Sequence, residues 1–308
     1  MTQARLRIGT FTPSLVIDLA RSTGRLDRAG LEVTETPVPS SPAQFRSLES
    51  GEFDVVMTSP DNVLAYRFLN ANPLGRKLPV EILAGIDRGL GLSLCLAPSV
   101  TTVVDVRGRV VGVDVPQSGF AFVAFALLER GGLSAADYAV ESLGSTPRRA
   151  AALTNGTCAA TVLNAGNELR AGASGCRVVS TVADIGPYLG TVMAALPVDD
   201  TTIDGPRKRL AEVVIDTAHD IVSGRLRQEV LEAAGRLLGL GGREAAAHHQ
   251  CLLDRTHGLI TDGRVDEASI DTLIDLRRRY RPSPDLAAVE SAWPMMLTAA
   301  ASGTGPRT

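Results

Sequence analysis

Aromatic residues are scarce: seven Phe, four Tyr and one Trp make up 4% of the 308 positions. That is too few to build the stacking platforms that single-stranded nucleic acid prefers. An excess of either charge is also missing, since 31 Lys and Arg meet 34 Asp and Glu for a net charge of −3. A balanced surface cannot neutralise a phosphate backbone, so nucleic acid is excluded as a partner. No apolar run approaches the roughly 20 residues that span a bilayer, which excludes membrane insertion by a helix. Cysteine is sparse, and Cys95, Cys158, Cys176 and Cys251 form no CxxC pair. The first three lie in β-like apolar stretches and read as small buried hydrophobes. The four histidines, His219, His248, His249 and His257, all fall in the C-terminal part of the chain, away from any predicted ligand loop. His248, Cys251, Asp254 and His257 recur every third residue, but such steps spread them around half a helix, so no metal site is expected. Walker A and GxSxG motifs do not occur, and Gly239-Leu240-Gly241-Gly242 reads as a helix stop, so no cofactor is expected either. The opening MTQARLRIGTF (1–11) has no apolar core and no cleavage site, and the first Cys is at 95. A cytoplasmic location is therefore expected.

What is present is an ordinary globular composition, 44% hydrophobic and 21% charged, in a chain long enough for two lobes. Short β-like runs alternate with helical ones, the pattern of an α/β fold with parallel strands. Strands are predicted at 6–11, 31–38, 53–59, 80–86 and 92–98, with helices over 14–24, 42–50 and 60–70. The alternation then restarts with strands at 109–115, 138–144 and 158–164 and helices over 118–130, 147–154 and 165–171. From about Pro206 the chain reads as helices, and the tail SGTGPRT (302–308) as frayed. The restart looks like a loose internal repeat. Gly9 in RIGTFTPS answers Gly112 in VVGVDVPQS, with Pro13 against Pro116 at the same offset. Gly30 answers Gly132 and Gly51 answers Gly156 at offsets within a few residues of the first.

In open α/β sheets, ligands bind just beyond the C-terminal ends of the strands. Here those places hold small, polar and turn-forming residues. Ser59-Pro60 and Thr146-Pro147 each read as an N-cap followed by Pro, and Ser118 caps a third helix. Several helix starts aimed at one cleft would favour a carboxylate, sulfonate or phosphate, although a single cap is first of all a way to begin a helix. Among charged groups, Asp61 opens a helix, and Asp87-Arg88 follows an apolar strand where Arg88 could clamp a carboxylate. RRAAAL (148–153) and RRRY (277–280) read as solvated helix faces.

These residues resemble a known family. LRIGTFTPSLVIDLA, GLEV and LESGEFDVVMTSPDNVLAY look like the first lobe of type 2 periplasmic binding proteins, in the branch of nitrate, taurine, aliphatic-sulfonate and pyrimidine-synthase-like proteins. The segments 105–138 and 148–164 resemble its second lobe, and LIDLRRRY (273–280) its C-terminal helix. The resemblance implies a two-lobed α/β fold joined by crossovers near 86–92 and 185–195. Lobe one would be 1–88 plus 192–308, carrying the C-terminal helices, and lobe two 89–191. It also implies one small anionic or aromatic ligand held in the cleft by domain closure. The expected contacts are Phe11, Thr12, Ser14, Thr58, Ser59, Asp61, Asn62, Arg88, Gln117, Ser118, Gly119, Phe120, Asn164 and Tyr188. Most members feed an importer, so an ABC permease is the expected partner if an export signal precedes this chain. A few unexported relatives are enzymes, which leaves a cytosolic decarboxylase or other lyase as the alternative. One such relative, a biphenyl sulfinate desulfinase, carries a nucleophilic Cys after the first strand, where this chain has Thr12-Pro13-Ser14, and the iron motif of the pyrimidine synthase is absent. The remaining groups for chemistry would be Asp61, Asp87 and Arg88, with Asp61 the best-placed base.

Overall fold

The computed structural model describes residues 3–303. Its first stretch runs β1 (Ala4–Thr10), α1 (Leu15–Ser22), α2 (Arg25–Arg28), β2 (Leu31–Pro37), α3 (Ser41–Glu49), β3 (Val55–Thr58), α4 (Pro60–Phe68) and β4 (Glu81–Asp87). A second follows with β5 (Ser93–Leu96), β6 (Val110–Val113), α5 (Gly119–Arg130), β7 (Ala139–Ser142), α6 (Thr146–Thr154), β8 (Ala160–Leu163), α7 (Asn167–Ala173) and β9 (Arg177–Thr181). The chain returns through β10 (Thr191–Ala195) and ends in helices α8 (Thr201–Val222), α9 (Arg227–Leu238), α10 (Gly242–Leu253), α11 (Glu267–Tyr280), α12 (Leu286–Ala292) and α13 (Ala299–Ser302).

The strands form two five-stranded sheets, β2-β1-β3-β10-β4 and β7-β6-β8-β5-β9. The orders correspond: β1–β3 match β6–β8 as parallel triplets, and in each sheet the fourth strand, β10 or β5, runs antiparallel. The repeat extends to single residues. Gly9 pairs with Val56 in the first sheet and Gly112 with Thr161 in the second. A methyl group on Gly9 would lie 2.6 Å from the Phe53 ring; one on Gly112 would lie 2.6 Å from Leu143 and 3.1 Å from the Cys158 sulfur. Phe53 and Cys158 each stand two residues before the third strand of their triplet. In both sheets the glycine leaves room for side chains packed against the first strand of the triplet.

The central strands are buried on both faces, as parallel strands between helix layers must be, and so read as continuous apolar runs. Three differences from the expected elements have physical reasons. β9 is an edge strand with an exposed pattern, Val178 and Val179 facing solvent, so it shows no buried alternation. The C-terminal helices begin at Thr201, where the Asp200 side chain accepts from the Thr202 amide, and Pro206 sits inside the helix. The bond that Pro206 cannot make falls in the first turns, where Thr202 is exposed and water can serve its carbonyl. At the far end Ser302 closes α13 instead of fraying, and residues 304–308 of the expected frayed tail lie outside the described residues.

Two crossovers join the sheets, between β4 and β5 and between β9 and β10. They touch: the Gly190 amide donates to the Asp87 carbonyl, and a Cβ at Gly190 would lie 2.3 Å from the Gly89 nitrogen. Only glycine fits there.

Candidate functional site

A cavity of about 110 Å³ opens between the sheets. One wall is the turn from β1 into α1, with the end of β3. The opposite wall comes from the loops after β6, β7 and β8. The crossovers supply Asp87, Leu90, Gly190 and Thr191, and α9 and α10 close one side with Leu238, His248 and Leu252. Nine of the expected contacts line it: Phe11, Thr12, Ser14, Thr58, Ser59, Asn62, Ser118, Phe120 and Asn164.

Helix starts build these walls. The Ser14, Ser59 and Ser118 hydroxyls accept from the amides of Ile17, Asp61 and Ala121, capping α1, α4 and α5. At α6 the cap is Ser145, not Thr146; Thr146 is the first helical residue and Pro147 the second. The first-turn amides of Leu15, Gly119 and Thr146 have no partner within their helices by position, so three helix starts present donors to one space. The one proton of the Ser118 hydroxyl is already committed, because it donates to Asp114. Asn62 donates to the Thr58 hydroxyl at 3.0 Å and Asn164 to the Gly89 carbonyl at 3.2 Å, which fixes both amides.

Leu90 (φ 46°) and Ala165 (φ 54°) are the non-glycine residues with positive φ among those described, and both line the cavity. The Ala165 amide donates to the Leu90 carbonyl at 2.9 Å, so each strained residue holds the other. Backbone strain of this kind costs about 1–3 kcal/mol per residue and persists where the surroundings over-determine it.

Five expected contacts stand off the cavity lining. Asp61 is wholly buried and pairs with Arg277 of α11, the Nε–Oδ1 and Nη2–Oδ2 distances being 2.7 and 2.6 Å. The same guanidinium donates to the Gln117 carbonyl at 3.2 Å and lies 5.1 Å from the Phe122 ring centre. Gly119 packs on this pair, since a Cβ there would lie 2.7 Å from the Asp61 Cβ. Arg88 turns away to Asp266 at 2.9 Å. Tyr188 is buried, and burial pushes its phenol well up from the ordinary value.

The cavity also holds groups that the sequence reading placed elsewhere. Arg149, assigned to a solvated face, is 1% exposed and lines the cavity. Its Nη1 donates to the Gly144 carbonyl at 2.7 Å and its Nη2 to the Thr146 hydroxyl at 3.2 Å and the Val162 carbonyl at 3.3 Å, while its Nε is buried without a hydrogen-bond partner. Arg277, in the other expected solvated run, is 3% exposed. His248, 1% exposed, also reaches the cavity; burial lowers its pKa to about 4, so it is neutral near pH 7. Burial raises both carboxyls of the lining: Asp114 is pushed up against the opposing pull of Arg149, and Asp87 reaches about 6. The sequence does not single out Arg149, since Arg148 beside it also stands in the first turn of α6 and is exposed. Nor does it single out His248, because its place is set by how α10 packs.

No family model matches the chain, and no curated protein sequence matches it. Solved structures do. The alkanesulfonate-binding protein SsuA from Xanthomonas axonopodis pv. citri, bound to MOPS, superposes with a TM-score of 0.72 at 16% identity, covering 92% of this chain and 96% of that one. The periplasmic nitrate-binding protein NrtA from Synechocystis PCC 6803 gives 0.71 at 12% identity, over 96% and 88%. A Candida albicans gene product with the generic periplasmic binding protein fold gives 0.72 at 13%, over 96% of each chain. With its two matching sheets and the cleft between them, the chain has the two-lobed fold of the periplasmic binding proteins.

Proposed function

We propose that the protein binds one small organic anion between its lobes and closes over it. Lobe one is taken as 1–88 plus 192–308 and lobe two as 89–191, a division supported by which strands share a sheet. The observation that carries the reading is Arg149, a buried cation on the cavity with a free donor. A buried charged donor is costly to leave without an acceptor, and an anion supplies one for the Arg149 Nε. Helix starts from both lobes add donors. Phe11, Met57, Ile86 and Phe120 add apolar surface, which favours an organic body over a bare inorganic ion.

The test is calorimetry with a panel of small sulfonates and carboxylates, alongside nitrate and phosphate, on wild type and Arg149→Met. A hydrogen bond to a charged group is worth about 1.5–3 kcal/mol, so the variant should bind roughly 10- to 100-fold more weakly. Equal affinity would remove Arg149, and with it the anion reading. Where the ligand is met is a separate question for cell fractionation. A cytoplasmic pool would be in keeping with four free cysteines, and a periplasmic one would make an importer's permease the receiving partner.

A further inference from the structure

Where α7 of lobe two meets α10 of lobe one, two buried polar atoms have no partner: Glu168 Oε2 and His248 Nδ1. Gly166, just before α7, lies against both; its amide donates to Glu168 Oε1 at 3.3 Å, and a Cβ on it would sit 3.6 Å from His248 Nδ1. Gly91 of the first crossover closes the third side, 3.2 Å from Glu168 Oε1 and 3.4 Å from the Cys251 sulfur by the same measure. Glu168 is therefore a carboxyl wedged among both lobes and their hinge, 5% exposed and with no ion-pair partner among the described residues. We propose that lobe closure is coupled to proton uptake by Glu168, which is neutral when the lobes meet and ionises when α10 draws away.

The neighbours support one titrating group. On its own helix, Arg170 turns to Asn167. From α10 it faces His248 and Cys251, with Asp254 at the helix end bonded to His257. β5 presents Cys95, and β4 ends at Asp87. Of the other elements packed on α7, α6 points Arg149 at the Gly144 carbonyl and leaves Arg148 exposed, and β9 points Arg177 at the Val100 carbonyl. Cys176, just before β9, lies against the Thr154 hydroxyl. Burial lifts Glu168 to about 8, against about 6 for Asp87, about 4 for His248 and about 12 for Cys251. A group whose pKa is raised in the closed form favours that form at low pH. The advantage is complete below its open-form pKa and fades as pH climbs to about 8. Between pH 6.5 and 8 the largest change of charge falls on Glu168, since Asp87 is already mostly ionised at the start of that range and His248 is neutral throughout it.

The proposal rests on the closure reading but not on the ligand, and its test needs none. Single-molecule energy transfer between a dye on each lobe of the ligand-free protein reads the ratio of closed to open. In wild type that ratio should fall about tenfold per pH unit from 6.5 to 8, one proton per closure, and then level off. Glu168→Gln, a neutral isostere, should change less than twofold over the same range. A pH-independent ratio in wild type overturns the proposal even if the variant fails to fold, and so does an equal slope in Glu168→Gln. A failure to bind any anion would count against the proposed function and leave this result standing.

Discussion

Arg277→Met removes one half of an ion pair whose side chains are 4% and 0% exposed. Asp61 is then left in a site that water does not reach, with both of its guanidinium hydrogen bonds gone. Breaking a buried pair from one side costs about 3–5 kcal/mol, most of it the uncompensated charge. At about 2.1 cal/mol/K per residue, the unfolding entropy of a chain this long turns that loss into a fall in Tm of roughly 5–8 °C. The double variant Asp61→Asn/Arg277→Met removes both charges and should recover at least half of the drop. Trp293 is the only tryptophan and packs partly buried against the core, so its fluorescence follows unfolding of lobe one, with far-UV circular dichroism following the whole chain. A single variant that melts within 1 °C of wild type would refute the buried-pair reasoning. So would a double variant that melts no higher than the single one.

Two further outcomes follow from the same geometry. Ser118→Ala should lower stability by about 1 kcal/mol, the usual loss for a helix cap, and change anion affinity less than Arg149→Met does, since its hydroxyl already serves Asp114 and Ala121; calorimetry showing the reverse order would return Ser118 to the ligand. Gly190→Ala should destabilise the protein by several kcal/mol in urea titration, because its methyl group would overlap Gly89 and Asp87 where the crossovers touch, and an unchanged midpoint would mean that the crossovers do not meet as described.

How much of this was legible in the sequence varies by the range of the interaction. Strands, helices and caps are local, and Ser14, Ser59 and Ser118 announce themselves by standing before helical runs. The repeat was legible because Gly9 and Gly112 recur at the same offset as Pro13 and Pro116, and packing leaves neither glycine room for a side chain. Charge placement was not. Arg149 and Arg277 stand in runs of arginine that look solvated, and only the tertiary fold turns one of each run inward. Arg88 reads as a ligand clamp from its turn, but its partner Asp266 lies far along the chain. His248 reaches the cleft because α10 packs against α7, a contact with no local signature.

The position of β10 also governs the order in which the protein can be made. The second sheet uses only residues up to Thr181 and is complete as soon as β9 has left the ribosome. The first sheet is not, because β10 lies between β3 and β4, pairing Met193 with Met57 on one side and with Ala84 on the other. Until residues more than a hundred positions downstream emerge, β3 and β4 face each other across a gap with unpaired edges. Pairing over such a separation is slow, and open apolar edges invite other chains. The lobe that begins first is thus the one that finishes last, and the nascent chain spends that interval with this gap open.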